Sequence, residues 1–219
     1  MAIRVRWSKL MLFAVALLPL FSLLADAAYD RLGTDPVQQI THRSGDWALR
    51  LLLLTLAVTP LRRITGYNAL IGYRRMLGLF AFFYACLHFA TYLVLDLGGF
   101  WSEIGADLIK RPFITVGFLA WLSLLALALT STRGMVRRLG RRWQQLHRLV
   151  YLAGLLAVLH FFWLVKADHS EPMLYAVILA VLLAARLPWR FGPDDRAARG
   201  RRLHPSASAP TKIASDRRG

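Results

Sequence analysis

The sequence predicts an all-α membrane protein, a bundle of about six transmembrane helices, and three observations carry that prediction. Of its 219 residues 57% are hydrophobic, and they come in long blocks rather than scattered as in a soluble core. Six blocks approach the roughly 17–25 apolar residues that a helix needs to cross a bilayer. The net charge is +16, yet Lys and Arg gather beside the blocks instead of lining one polar face.

The blocks fall at about 9–28, 47–63, 75–95, 113–131, 147–166 and 172–189. Ahead of the first stand Arg4, Arg6 and Lys9, and Ala25-Asp26-Ala27 follows near its end, the outline of a signal peptide and cleavage site. The apolar run is long for such a signal, so a retained span is the expectation. The second block is short and carries Arg50, whose long side chain is expected to snorkel to the headgroups. The sixth is marginal and ends at Pro188-Trp189. Between the first two blocks the stretch 29–46 reads as a loop, with turn signals at Gly33, Pro36 and Gly45. Residues 1–189 are thus expected to form one transmembrane domain, and 190–219 a basic, disordered tail rich in Arg, Ala, Ser, Pro and Gly. No internal repeat is evident.

Orientation follows from the basic residues. The N-terminus, the 2–3 loop, the 4–5 loop and the tail from Arg186 hold 22 of the 28 Lys and Arg residues. The other side holds six: Arg31, Arg43, Arg50, Lys110, Arg111 and Lys166. Both termini are therefore expected on the cytoplasmic side, which requires an even number of spans. A charge this positive also raises nucleic acid as a partner, but arginines that flank apolar blocks fit anionic lipid headgroups instead. Cys86 is the single cysteine and lies inside a block, so no disulfide forms within the chain. The absence of C-x-x-C-H excludes covalent c-type haem attachment.

Depth separates the six histidines. His42, His169 and His204 fall in loops or tail and read as solvated polar residues. His88 lies within the third span and His160 within the fifth, where an ionisable side chain is costly and usually functional. A single intramembrane His can simply hydrogen-bond a neighbouring helix. The pair says more. His88 lies 13 residues beyond Arg75, and His160 lies 13 beyond His147, so each sits about 20 Å up a helix of the same polarity. Two facing imidazoles at one depth can ligate a haem iron axially. Another metal ion is the next reading, but the spans add only Cys86 as a further ligand, and a closed zinc site wants four. Tyr84, Phe89, Tyr92, Phe161 and Phe162 can line a macrocycle, or serve as ordinary core or lipid-facing aromatics.

His147 is open to two readings. It can ligate a second haem near the cytoplasmic edge, where Arg74, Arg75, Arg142 and Arg148 can pair haem propionates or a flavin phosphate. It can equally be a headgroup-level residue among positive-inside arginines. On an ideal helix it stands roughly 140° around from His160, so either the helix is distorted, with Gly154 the candidate position, or the two histidines serve differently oriented sites.

The strings "GTDPVQQITHRSGDWAL", "YRRMLGLF", "CLHFATY", "KRPFITVGF", "LALTSTRGMVRRLGRRWQQLHRLVYL" and "LHFFWLVK" closely resemble one family, the haem-binding membrane subunits of bacterial periplasmic methionine-sulfoxide reductase systems (MsrQ, also YedZ). The match runs from Gly33 to Lys166 and is most specific in the segment leading to His147. The family sits among the ferric-reductase-like membrane domains. What the resemblance implies is an inner-membrane protein with one or two b-type haems and an FMN. Electrons drawn from the quinone pool pass to a periplasmic molybdenum-containing subunit that repairs oxidised methionines. By motif the haem-linked histidines are His88, His147 and His160. The wider superfamily typically has two histidines on each of two helices. Here Arg74 and Arg75 stand where a second would be on the third span.

Chain length bears on the same question independently. A tail of about 30 residues without a G-x-G-x-x-G is not expected to form a dinucleotide-binding domain. The outward loops are too short for a substrate domain. An electron-relay subunit is the expectation, with substrate chemistry in a partner. A haem-free transporter or channel with histidines along a polar path is the alternative.

Overall fold

The computed structural model describes residues 2–186, so the expected tail at 190–219 lies outside the described residues. The principal helices are α1 (Ala2–Ala28), α2 (Pro36–Thr65), α3 (Ile71–Thr91), α4 (Ile104–Lys110), α5 (Pro112–Leu129), α6 (Arg133–Leu139), α7 (Arg141–Leu146), α8 (Leu149–Leu164) and α9 (Ser170–Ala184). Six of these, α1, α2, α3, α5, α8 and α9, correspond to the six apolar blocks, and no strand occurs among the described residues.

Among the described residues four helical stretches are long and apolar enough to cross a membrane: Trp7–Ala28, Asn68–Asp96, Pro112–Leu129 and Arg141–Leu164. Helix α9 is apolar but shorter, with 15 residues. Helix α2 is long enough, but Asp46, Arg50, Arg62 and Arg63 punctuate it. Its place in the bundle explains that composition. Leu49, Leu51, Leu52, Leu53, Leu56 and Val58 are all buried, so the middle of α2 packs within the bundle, while Leu54, Leu61 and Ile64 stay exposed. Its polar residues then meet protein partners. Arg50 Nε donates to the Tyr175 hydroxyl at 2.8 Å, with Asp46 at 3.9 Å.

Helix α2 also begins 11 residues before the second apolar block, so much of the expected 29–46 loop is helical. Asp35 caps it by accepting from the backbone N–H of Gln38 at 2.9 Å, and Pro36 supplies the fixed φ that suits a first helical position. An Asp-Pro pair marks a helix start as readily as a turn. The helix ends where Gly66 adopts φ 69°, its N–H bonding back to the Arg62 carbonyl.

Contacts along the bundle fix alternating polarity. Ser8 meets Tyr73 at 2.6 Å, so the starts of α1 and α3 lie together. At the opposite end Asp26 pairs with Arg43 at 2.6 Å, near the start of α2. Arg50 reaches Tyr175 near the start of α9, while Arg186 beyond its end donates to the Tyr151 hydroxyl at 2.9 Å and to the Leu56 carbonyl. Helices α1, α3 and α8 therefore run one way, and α2, α5 and α9 the other. One end of the bundle, the arginine end, gathers Arg62, Arg63, Arg74, Arg75 and Arg186 with the arginines of α6 and α7.

Helix α1 is the peripheral member: from Trp7 onward only Ala16, Leu23 and a few half-buried residues turn inward. Tyr84 fastens it. The Tyr84 hydroxyl donates to the Ala16 carbonyl at 2.8 Å and accepts from the Leu20 N–H at 3.1 Å, bridging a helical i, i+4 pair beside Pro19. A side chain inserted into the ladder next to a proline is a recognised way to bend a helix without orphaning its backbone. Tyr84→Phe is expected to cost about 1–3 kcal/mol by leaving those groups unsatisfied in an apolar setting. A thermal melt in detergent, with proteolysis within α1 as a second readout, checks this; an unchanged melt and an unchanged cleavage rate would refute it.

Candidate cofactor sites: two facing imidazoles and an arginine-rimmed cavity

Near the C-terminal ends of α3 and α8, His88 and His160 face each other with ring centroids 6.0 Å apart and planes inclined at 78°. The matching depth read from the sequence is thus a direct juxtaposition. Each ring is held from behind. Nδ1 of His88 lies 2.9 Å from the Thr41 carbonyl of α2, and Nδ1 of His160 lies 2.6 Å from the Phe113 carbonyl of α5. A carbonyl can only accept, so each Nδ1 carries the proton and each Nε2 keeps a free lone pair.

That geometry fits a shared metal centre. A metal–imidazole bond is about 2 Å, and each ring adds about 1 Å from nitrogen to centre, so two rings on one ion stand about 6 Å apart. Among the described residues no third His, Cys, Asp or Glu joins the pair. Two nitrogen donors suit an iron whose remaining positions a macrocycle fills, and outer hydrogen bonds from ligating imidazoles to carbonyls are the usual second layer of such sites.

The aromatics named from sequence divide among other tasks. Tyr84 is spent on α1. Phe89 packs with Trp121 at 4.8 Å and Phe118 at 5.7 Å. Tyr92, in a π turn at Tyr92–Asp96 that continues α3, donates to Asp107 at 2.7 Å; Asp107 also takes Arg111 at 2.9 Å and closes this end of the bundle. Phe161 neighbours Tyr175, and Phe162 stacks on His169 at 4.9 Å. Phe113, 6.2 Å from His160, is the aromatic beside the imidazole that sequence reasoning did not single out.

The two histidines are matched by a repeat that the sequence hid. Gly45 and Gly117 are 72 positions apart, as are the fully buried Ala81 and Ala153. Ala85, Leu87, His88 and Phe89 recur at the same offset as Ala157, Leu159, His160 and Phe161. Each histidine bonds a carbonyl 47 residues before it. Helices α2 and α3 thus form one half of the site and α5 and α8 the other. The identities are few and spaced along uniformly apolar helices, which is why they do not stand out in the chain.

At the arginine end, about 20 Å along α3 from His88, lies a cavity of about 800 Å³. Leu52, Leu124 and Leu127 wall it; Arg74, Arg75, Arg133 and Arg137 rim it, with Trp143 and His147 at its edge. Among the described residues no carboxylate lines it. The volume lies within the range of small-molecule and cofactor sites. His147 stacks on Trp143 at 3.8 Å, and its Nδ1 lies 3.1 Å from the Trp143 carbonyl, which again leaves Nε2 free. The distortion expected between His147 and His160 occurs at His147 itself, between the end of α7 and the start of α8. Gly154 stays within regular helix against Leu56 and Leu179. His147 lines this cavity, whose lining includes neither His88 nor His160. Arg75, not a histidine, holds the repeat position equivalent to His147.

The bundle and its depth-matched imidazoles define a polytopic helical membrane protein. Residues 44–158 match the family model described as ferric reductase like transmembrane component. A protein of Xanthomonas axonopodis pv. citri named protein-methionine-sulfoxide reductase heme-binding subunit MsrQ is 54% identical over 209 residues, covering 93% of this chain and 95% of its own. One of Xanthomonas campestris pv. campestris with the same name is 63% identical over 170 residues, 78% of each chain. A third, of Herminiimonas arsenicoxydans, is 53% identical over 184 residues, 83% of this chain and 84% of its own. The chain belongs to the ferric-reductase-like transmembrane family and, within it, to the MsrQ family.

Proposed function

We propose that this chain is the haem-binding membrane subunit of a methionine-sulfoxide reductase system. It carries electrons from the quinone pool across the inner membrane to a periplasmic molybdenum-containing reductase that repairs oxidised methionines. The observation that carries this reading is the facing pair His88 and His160, each with Nδ1 tied to a backbone carbonyl and Nε2 free. A b-type haem held there supplies a reversible one-electron carrier. The chain's own part is to present two neutral imidazoles at fixed depth and to surround them with apolar side chains that keep water out. Substrate chemistry resides in the partner.

The second site extends the path. The cavity at His147 suits a second haem or an FMN, because Arg74 and Arg75 can pair propionates or a phosphate while the leucine walls take the apolar body. With the arginine end toward the cytoplasm and anionic lipids, both termini are cytoplasmic. Reporter fusions after Arg63 and Arg142 are expected to read cytoplasmic, and fusions after Gly33 and Ile104 external; the reverse pattern would invert the path.

The deciding experiment is a reduced-minus-oxidised absorption spectrum of the purified protein, with haem quantified per chain. An α-band of b-type haem is expected, and a chain without one would point to a haem-free transporter or channel. His147→Ala is expected to leave the bands of the His88–His160 centre in place and remove only what the arginine-end cavity binds. Loss of both centres in that variant, with the fold intact by circular dichroism, would contradict two separate sites.

A further inference from the structure

We infer that Gly45 and Gly117 are positioning residues, each clearing the space in which one imidazole lies flat enough against a neighbouring helix to donate its Nδ1–H to that helix's backbone. The inference rests on the haem reading above but concerns the protein's own side chains. A Cβ at Gly45 would stand 3.0 Å from Nδ1 and 3.2 Å from Cε1 of His88. At Gly117 it would stand 2.7 Å from Nδ1 and 2.8 Å from Cε1 of His160, closer than real Cβ contacts come. In both halves the accepting carbonyl lies four residues before the glycine, Thr41 before Gly45 and Phe113 before Gly117.

The geometry gives each glycine one function twice over. In a helix the carbonyl of residue i−4 is already bonded to the N–H of residue i, and its second lone pair points outward beside that residue's Cβ position. An imidazole can reach that lone pair only if the Cβ is missing. With the glycine present, the ring is fixed in tautomer and rotation, and Nε2 is aimed into the gap. With a methyl there, the ring must turn or retreat and its hydrogen bond lengthens. Neither glycine needs a left-handed backbone, so conformational freedom is not the reason for either. Gly154 offers the contrast, since a Cβ there would meet only the ends of Leu179 and Leu56, at 3.3 and 3.5 Å.

The test is a set of double-mutant cycles on stability in detergent, run on apo protein, with haem affinity, electron paramagnetic resonance and midpoint potential measured on the loaded protein. Gly117→Ala is expected to weaken haem retention on the order of 10-fold or more, the usual cost of losing a metal ligand's outer partner. Gly45→Ala is expected to weaken it less, because its clearance is wider. Both are expected to shift the resonance signature and the potential, whereas Gly154→Ala moves neither. In the apo cycles the cost of Gly117→Ala should shrink when combined with His160→Ala and not with His88→Ala; Gly45→Ala should show the opposite preference. Additive cycles, or alanine variants with unchanged resonance and potential, would overturn the positioning role. Should the single alanine variants fold too poorly to load, the apo cycles still decide. If His88→Ala and His160→Ala leave the haem spectrum unaltered, the ligand assignment itself falls, while pair-specific coupling in the apo cycles would still stand.

Discussion

His88→Ala and His160→Ala are each expected to remove one haem per chain while the helical bundle stays assembled. In the proposed haem site each histidine supplies one Nε2 donor, and no third His, Cys, Asp or Glu among the described residues can replace it. The structural loss is small by comparison. Each substitution surrenders one hydrogen bond to a carbonyl that keeps its helical partner, about 0.5–1.5 kcal/mol. Haemochrome quantification should therefore fall by one equivalent while circular dichroism holds. His42 is exposed, and His42→Ala is the control expected to change neither. Full haem content and an unshifted spectrum in either buried variant would remove the pair as ligands.

The second large effect concerns the acceptor. Membranes containing the protein, reduced by a quinol, are expected to keep their reduced absorption until the purified reductase and a methionine sulfoxide are both present, and then to lose it. The docking face is expected at the end of the bundle holding the facing histidines, around residues 29–35. There Asp30 and Arg31 are exposed, and the Arg31 guanidinium lies 5.2 Å over the Tyr29 ring. Charge reversal at Asp30 or Arg31 should slow reoxidation more at low salt than at high salt, as expected for electrostatic steering. Asp35 is a poor choice for that purpose because it caps α2. Absorption that stays reduced in the full mixture, with a reductase active toward an artificial donor, would rule the pairing out.

Much of the architecture was legible because the bilayer imposes its length on the sequence. The apolar blocks at 9–28, 75–95, 113–131 and 147–166 map onto four helical stretches long enough to span it. Even the failures had readable causes. Asp35-Pro36 signals a helix start, and a turn reading overlooked that possibility. Helix α2 looks too polar for a span in sequence, but Arg50 and Asp46 find partners in Tyr175 and each other once the helices pack. His88 and His160 were legible as a pair because equal spacing from the basic ends implies equal depth on parallel helices.

By itself, then, the sequence determined the all-α membrane class, the six apolar helices and the two buried histidines, since each depends on hydropathy and helical rise along one segment. Only the tertiary structure decided what those histidines touch. The Thr41 and Phe113 carbonyls carry no side-chain signature, and Gly45 and Gly117 matter through a missing atom on a neighbouring helix. The structure likewise separated His147 from the pair, because a break between α7 and α8 sets its direction and no periodicity places it. Depth is a property of one helix, whereas facing, clearance and hydrogen bonding are properties of two, and they exist only once the helices have packed.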